Sequence, residues 1–115
     1  MLARDPDVVI AWLAHRVDTD RLPEGQAVVI ELVIAGAATS RCWLVLEHGA
    51  DPSVCIEDPG IGDDRYVYLE GDVAAVAAIA RGLATWADSV RSGAVRLFGE
   101  PALVQALPGW FRAAG

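Results

Sequence analysis

Alternating apolar residues predict a β-sheet in the first two thirds of the chain. Residues 27–38 alternate between the two faces of a strand, and nearly all residues on both faces are apolar, with Glu31 as the charged exception. A strand of this kind is typical of the middle of a sheet, where both faces are covered. Three shorter stretches continue the pattern, at residues 41–47, 53–57 and 65–69. We therefore predict four strands within residues 27–69, of which the first three form an antiparallel meander.

Helical spacing of apolar residues predicts helices before and after this strand region. Pro6 suits the first turn of a helix whose apolar face includes Leu13. Asp72 and Thr85 are suitable N-caps for the helices of the next region, and Gly93 is a suitable end. The predicted helices cover residues 6–16, 72–92 and 101–112, with a fifth strand at 94–98. Together these elements predict a single α+β domain over residues 1–115, with a five-stranded, mostly antiparallel sheet and helices packed on one face.

The composition is that of a domain with a large core. Hydrophobic residues make up 54% of the 115 residues, and a chain of this length can bury most of the surface that it exposes when unfolded. Glu31 interrupts the longest apolar run, so no stretch approaches the about 20 residues that a membrane helix needs, and we expect no membrane insertion. The N-terminal stretch has no uninterrupted signal-like core, which predicts a cytoplasmic protein.

The charge balance disfavours binding to nucleic acid. The net charge is -7 and the isoelectric point is about 4.6, with no stripe of basic residues. A domain that grips phosphates needs clustered cations, because the release of counterions supplies most of the binding free energy. We expect no direct contact between this domain and nucleic acid, so any DNA binding would have to come from another domain.

No residue pattern specifies an enzyme, a metal site or a cofactor site. His15 and His48 are distant in sequence and lack the spacing of metal ligands. Residues 60–62, Gly-Ile-Gly, are not followed by the Lys-Ser/Thr of a phosphate loop, which indicates a turn. Glu31 leaves two alternatives open. It is either a buried acid with a raised pKa or a carboxylate on the open side of the sheet, paired with Arg41 across the hairpin.

The two cysteines, Cys42 and Cys55, lie on adjacent predicted strands. Pairing these strands across a turn at residues 49–52 places Cys55 near Leu46. The two thiols are then about four residues apart along the strands, which is beyond the length of a disulfide. We predict two buried free thiols.

The last third of the chain carries a more specific pattern. Residues 83–111 run from a short helix through Ser-Gly and Val-x-Leu-x-Gly to Pro-x-x-Leu-Val-x-Ala-x-Pro-x-Trp. This order resembles the sterol carrier protein type 2 (SCP-2-like) sterol-transfer family, and is nearest to the branch found C-terminal to winged-helix transcriptional regulators of the HxlR type. The rest of the chain agrees with the family in element order. The resemblance is carried by Ala84, Thr85, Trp86, Ser92, Gly93, Val95, Leu97, Gly99, Pro101, Leu103, Val104, Ala106, Pro108 and Trp110.

The resemblance implies an SCP-2-like fold with an apolar cavity between sheet and helices. The family uses this cavity to hold lipids, acyl chains or other hydrophobic molecules without catalysing a reaction. In the regulator branch, such a domain is the sensor or accessory half beside a DNA-binding domain. We expect apolar helical residues to line the cavity, although each could instead belong to an ordinary core. These residues are Trp12, Val76, Ile79, Leu83, Trp86, Val90, Leu103, Leu107 and Trp110.

The alternative is a structural or dimerisation module. In that case the cavity is filled by side chains, the chain forms a homodimer, and no ligand binds. The small number of Met and Phe residues, one and two, is compatible with this alternative.

Overall fold

Five strands form the centre of the fold. The computed structural model describes residues 6–36 and 40–112, apart from the side chains of Pro6 and Asp63. The strands are β1 (Val28–Ala35), β2 (Ser40–Leu46), β3 (Ser53–Cys55), β4 (Tyr66–Asp72) and β5 (Val95–Gly99). They form one sheet in the order β3-β2-β1-β4-β5. The predicted five-stranded α+β architecture is confirmed.

The sheet is mixed, because β1 and β4 run parallel while the other three pairs are antiparallel. Antiparallel pairing therefore dominates, as predicted. The strand β1 lies between β2 and β4, and the side chains from Val28 to Ile30 are fully buried. A strand that is apolar on both faces is stable in this central position because neither face has to meet water.

Within the described residues, four α-helices accompany the sheet, and a 3₁₀ helix at Leu107–Trp110 follows the last of them. They are α1 (Pro6–His15), α2 (Val73–Ala80), α3 (Trp86–Ser92) and α4 (Pro101–Ala106). The predicted helices within residues 72–92 are α2 and α3, and Gly82, at a φ of 77°, lies in the turn that follows α2. The predicted helix 101–112 becomes a 3₁₀ helix at Leu107, since Pro108 has no N–H to donate within an α-helix. No helix in the described part of the chain has the length and apolar composition that crossing a bilayer would require.

The helix ends have the capping contacts that the sequence predicts. The Asp72 carboxylate accepts a 2.7 Å hydrogen bond from the Ala75 amide at the start of α2. At the start of α3, the Thr85 hydroxyl accepts a 3.0 Å hydrogen bond from the Asp88 amide. Gly93 ends α3 with a φ of 82°. The two N-terminal caps satisfy amide groups that have no partner within the helix, and the Gly93 amide donates to the Val90 carbonyl at the C-terminal end of α3.

The hydrophobic core joins the helices to one face of the sheet. From β1, this face contributes Val28, Ile30, Leu32 and Ile34, all fully buried. The adjoining strands add Leu44, Leu46, Val67, Leu69 and Val95, which are also fully buried. Because these side chains have no accessible surface, none of them borders a space large enough for water.

The opposite face of the sheet, which we call the open face, has one row across the strands that contains three aromatic residues and the Glu31 carboxylate. The register aligns Trp43, Glu31, Tyr68 and Phe98 across four strands. Glu31 accepts a 2.9 Å hydrogen bond from the Trp43 indole nitrogen. The prediction of an open-side Glu31 therefore agrees with the structure, but its predicted partner was wrong, because Arg41 lies opposite Val33.

The hairpin of β2 and β3 has a different register from the predicted one. Cys55 lies opposite Trp43 and not near Leu46, because the chain turns back earlier and pairs Val45 with Ser53. The observed partner of Cys55, Trp43, is three residues from the predicted partner, Leu46. Because side chains alternate between the two faces of a sheet, a shift by an odd number of residues places Cys55 on the face opposite to the predicted one. Cys42 is buried on the helix side, while Cys55 is half-buried and shares the open face with Trp43. Both thiols are free, although only Cys42 is buried as predicted.

Candidate functional site

A pocket of about 560 Å³ lies among the helices and is partly open to solvent. Its walls come from α1 and the segment after it, the end of α2 and the turn that follows, the start of α3, and the C-terminal segment. None of the described lining residues belongs to a strand. The pocket therefore lies between helices, whereas the sequence predicted a cavity between the helices and the sheet. It is lined by Leu13, Arg16, Arg21, Ile79, Gly82, Ala84, Thr85, Trp86, Ala87, Pro108, Phe111 and Arg112.

One wall of this pocket is apolar and aromatic. Leu13, Trp86 and Phe111 are each at least nine-tenths buried. The rings of Trp86 and Phe111 are in contact, with centroids 5.0 Å apart and planes tilted by 41°. The cap by Thr85 positions Trp86 because Trp86 is the first residue of α3. A wall of this kind offers dispersion contacts to an apolar ligand.

Backbone hydrogen bonds hold the C-terminal wall of the pocket against the segment that follows α1. The amide of Asp18 donates to the carbonyl of Trp110 at 2.7 Å, and the amide of Arg112 donates to the carbonyl of Arg16 at 2.7 Å. A β-bridge pairs Val17 with Phe111 between these two bonds. The position of Phe111 is therefore set by pairing with residues far away in the sequence.

Three arginines line the pocket beside the apolar wall. Arg16 donates from Nε and Nη2 to the Arg112 carbonyl at 3.3 and 2.9 Å. Arg112 donates from Nη1 to the Val17 carbonyl at 3.0 Å and from Nη2 to the His15 carbonyl. Arg21 pairs with Asp18 at 3.3 Å and stays 59% exposed. None of the described lining residues is acidic, so the lining itself carries only positive formal charge.

The residues predicted to line a cavity fall into four groups. Ile79 and Trp86 line the pocket, while Val76, Leu107 and Trp110 are buried in the core. Trp12 and Leu103 are partly buried against that core. The other two, Leu83 and Val90, are 73% and 43% exposed and are absent from the pocket lining. Leu83 was expected on the buried face of a helix, but it lies in the turn between α2 and α3.

Sequence reasoning missed most of the residues that form this pocket. Leu13 was placed on the apolar face of the first helix, and Phe111 lies at the end of the resemblance segment, but neither was assigned to a site. Arg16, Arg21 and Arg112 are separated by up to 96 residues, and no local pattern links them. Only the pairing of the C-terminal segment with residues 16–18 brings these charges together.

The histidines and Cys42 lie outside the lining of this pocket. His48 Nδ1 lies 3.0 Å from the Leu22 carbonyl, while His15 is exposed at the end of α1. Among the described residues, no group of three or more His, Cys, Asp or Glu could hold a metal ion. Burial raises the pKa of the Cys42 thiol to about 11, with smaller contributions from the charges of Asp7 and Cys55. A thiol with this pKa is almost entirely protonated at neutral pH and is a poor nucleophile.

A second polar cluster joins Tyr66 to the loop that precedes it. The Tyr66 hydroxyl donates a hydrogen bond to Asp58 and accepts one from the Gly60 amide at 2.9 Å. The bond from Tyr66 and that from the Gly60 amide lower the pKa of Asp58. Burial, followed by the bond to Asp58, raises the pKa of Tyr66. This cluster anchors the loop to the open face and lies outside the pocket.

The backbone is similar to several solved structures. Palmitated SCP2L2 from Aedes aegypti matches with a TM-score of 0.65 and 21% identity, over 88% of this chain and 88% of that chain. The ubiquinone synthesis protein UbiJ-SCP2 matches with a TM-score of 0.54 and 19% identity, over 95% and 81%. The sec-alkylsulfatase Pisa1 from Pseudomonas sp. matches with a TM-score of 0.68 and 20% identity, over 95% of this chain.

The chain corresponds to only 16% of the alkylsulfatase. No protein-family model and no curated protein sequence matches the chain. These structural similarities show that the fold is SCP2-like.

Proposed function

We propose that this chain binds a hydrophobic molecule with an anionic head group in the helical pocket, without catalysing a reaction. The observation that carries the proposal is the combination of an aromatic wall and three arginines in one pocket of about 560 Å³. The similar SCP2L2 from Aedes aegypti was solved in a palmitated form, and palmitate combines an alkyl chain with a carboxylate. We also propose that residues 1–115 form a single domain.

The apolar part of such a ligand fits the wall formed by Leu13, Ile79, Trp86 and Phe111. Pockets for small ligands usually measure about 300–1,000 Å³ and are lined mainly by apolar and aromatic side chains. An alkyl chain in contact with Trp86 and Phe111 would remove mainly its own surface from water, because both side chains are already at least nine-tenths buried. Each buried methylene contributes about 0.8 kcal/mol to binding.

The anionic part of the ligand fits the arginine side of the pocket. A guanidinium presents five N–H donors in a planar fork, which matches the two oxygens of a carboxylate. Arg16 and Arg112 use several donors on backbone carbonyls, which fixes their position. Arg21 is more exposed, pairs with Asp18 through Nε at 3.3 Å and donates from Nη1 to the Gly109 carbonyl at 3.4 Å. None of these contacts uses Nη2, which is the donor that we propose for the ligand.

Blocking the pocket tests the proposed location of the ligand. Ala87 lines the pocket from the first turn of α3 and is exposed, so Ala87→Trp places a large side chain at the pocket mouth. We expect palmitate binding, measured by isothermal titration calorimetry, to weaken by about tenfold or more because a bulky group occupies the ligand volume. The matched control is Ala102→Trp on α4, which is exposed and does not line the pocket. Equal palmitate affinity in the two variants would contradict this location.

Replacing Arg21 tests the preference for an anionic head. We expect Arg21→Gln to weaken palmitate binding about fivefold, equivalent to about 1 kcal/mol, and to leave hexadecanol binding unchanged, because the neutral alcohol has no charge to lose. Arg91→Gln is the control, since Arg91, like Arg21, pairs with an aspartate three residues earlier but does not line the pocket. If both ligands lose the same affinity in Arg21→Gln, then the arginine acts through the shape of the pocket and not through charge.

A second candidate function is a structural or dimerisation module without a ligand. The observation that favours it is the filled layer between sheet and helices, where the strand side chains are fully buried. Saturable palmitate binding that Ala87→Trp abolishes would exclude this candidate. A sensor role beside a winged-helix DNA-binding domain and a cytoplasmic location both stay predictions from the sequence.

A further inference from the structure

The strand β5 forms an edge of the sheet whose outer side has no described strand beside it. It pairs with β4 alone, over the five residues Val95–Gly99. An edge strand presents unpaired backbone N–H and C=O groups, to which another strand can add. The other edge strand, β3, has only three residues, Ser53–Cys55, and begins directly after a proline. Of the two edge strands, β5 therefore offers the longer stretch of backbone to which another strand can pair.

We propose that β5 pairs with β5 of a second copy of this chain, antiparallel and about a two-fold axis at Leu97. The two sheets of five strands would then form one continuous sheet. In a two-fold interface, if residue i of the first copy lies opposite residue j of the second, then residue j of the first copy also lies opposite residue i of the second. Centring the pair on Leu97 places Val95 opposite Gly99 and uses all five residues of the strand.

The side chains of β5 favour this register. Arg96 and Phe98 both lie on the open face, where the Arg96 guanidinium carbon is 6.0 Å from the centre of the Phe98 ring in the same chain. Arg96 also pairs with Glu70 of β4 at 3.1 Å, which holds the guanidinium on this face. The axis at Leu97 places Arg96 of each copy opposite Phe98 of the other, which creates two further contacts between a cation and an aromatic ring. Phe98 is 47% exposed in the single chain, so pairing would also cover apolar surface.

Neighbouring registers are less favourable. An axis at Arg96 would place two guanidinium groups directly opposite each other, and like charges in this position are destabilising. An axis at Phe98 would leave Val95 and Arg96 without a partner in the other copy's strand. The strand sequence is thus complementary to itself in one register, which is the property of an isologous interface and identifies a second copy as the partner.

The oligomeric state of the wild-type chain and of two variants tests this pairing. We expect the wild type to be a dimer by light scattering and by sedimentation velocity, and to dissociate on dilution. Phe98→Arg places a guanidinium opposite Arg96 of the other copy and should weaken the dimer about tenfold or more. The control is Ile56→Arg, which changes an 87% exposed residue beside the opposite edge strand and should leave the dimer unchanged. Circular dichroism of both variants checks that they fold.

Hydrogen exchange gives a second measurement that needs no substitution. Amides within residues 95–99 should become more protected as the wild-type concentration rises, while amides within 53–55 should not change. A wild-type chain that stays monomeric at every concentration overturns the proposal. So does a folded Phe98→Arg variant that dimerises as the wild type does, or concentration-dependent protection at residues 53–55 in place of 95–99.

Discussion

Replacing Gly99 with alanine should lower the free energy of unfolding by about 3–5 kcal/mol. Gly99 ends β5 with a φ of 128°, a conformation that residues with a Cβ rarely adopt. A Cβ built at this position would lie 2.6 Å from the Tyr66 carbonyl oxygen on β4. That oxygen belongs to the backbone of an inner strand, so it cannot move without disturbing the sheet. Backbone strain and overpacking therefore act together.

Urea unfolding followed by circular dichroism measures this loss. The control is Gly109→Ala, because Gly109 has open space where its Cβ would be and no positive φ, and we expect a change within about 0.5 kcal/mol. Equal unfolding midpoints for the two alanine variants would contradict the proposed clash. In the resemblance segment, Gly99 is the glycine of Val-x-Leu-x-Gly, so its presence there has a structural cause.

Truncating Leu107 to alanine should lower the free energy of unfolding by about 2–5 kcal/mol. Leu107 is fully buried at the junction between α4 and the 3₁₀ helix, and it belongs to the main core. The loss combines the transfer free energy of the removed carbons with the cost of the remaining cavity. Thermal and urea unfolding both measure it.

Leu83 provides the matched control for this truncation. It is 73% exposed, so Leu83→Ala removes the same atoms from a side chain that is mostly in water, and we expect a change within about 0.5 kcal/mol. A large loss of stability in Leu83→Ala would mean that this side chain is covered in solution, for instance by a partner. Helical periodicity predicted that both leucines line one apolar cavity. Comparing the two alanine variants therefore shows whether the loss of stability follows the burial of the side chain or its position in the apolar pattern.

The sequence was most informative where structure depends on neighbouring residues. Asp72, Thr85 and Gly93 begin or end helices as predicted, because capping joins groups that are three or fewer residues apart. The unbroken apolar pattern of residues 27–38 predicted a central strand, and β1 occupies the centre of the sheet. The local sequence was enough to predict this position, because a strand that is buried on both faces has a nearly continuous run of apolar residues.

Register was less accessible from the sequence than strand position. Both the pairing of Cys55 and the partner of Glu31 were predicted incorrectly, and both depend on where the β2–β3 and β1–β2 hairpins close. A strand can shift along its neighbour at small local cost, while the shift changes every side-chain neighbour. The observed register is the one in which the side chains of each sheet face pack best against their neighbours. This packing involves many residues, so the sequence of a single turn does not predict it.

The amino-acid sequence by itself determined the fold class, the helix caps and the apolar faces, since each depends on residues close together in the chain. Only the tertiary structure decided where a ligand pocket lies. Its wall pairs Trp86 with Phe111, and its arginines come from both ends of the chain. Helical periodicity predicted that Leu83, Leu107 and Trp86 share one environment. Packing separates them because a helix face is buried only where another element covers it.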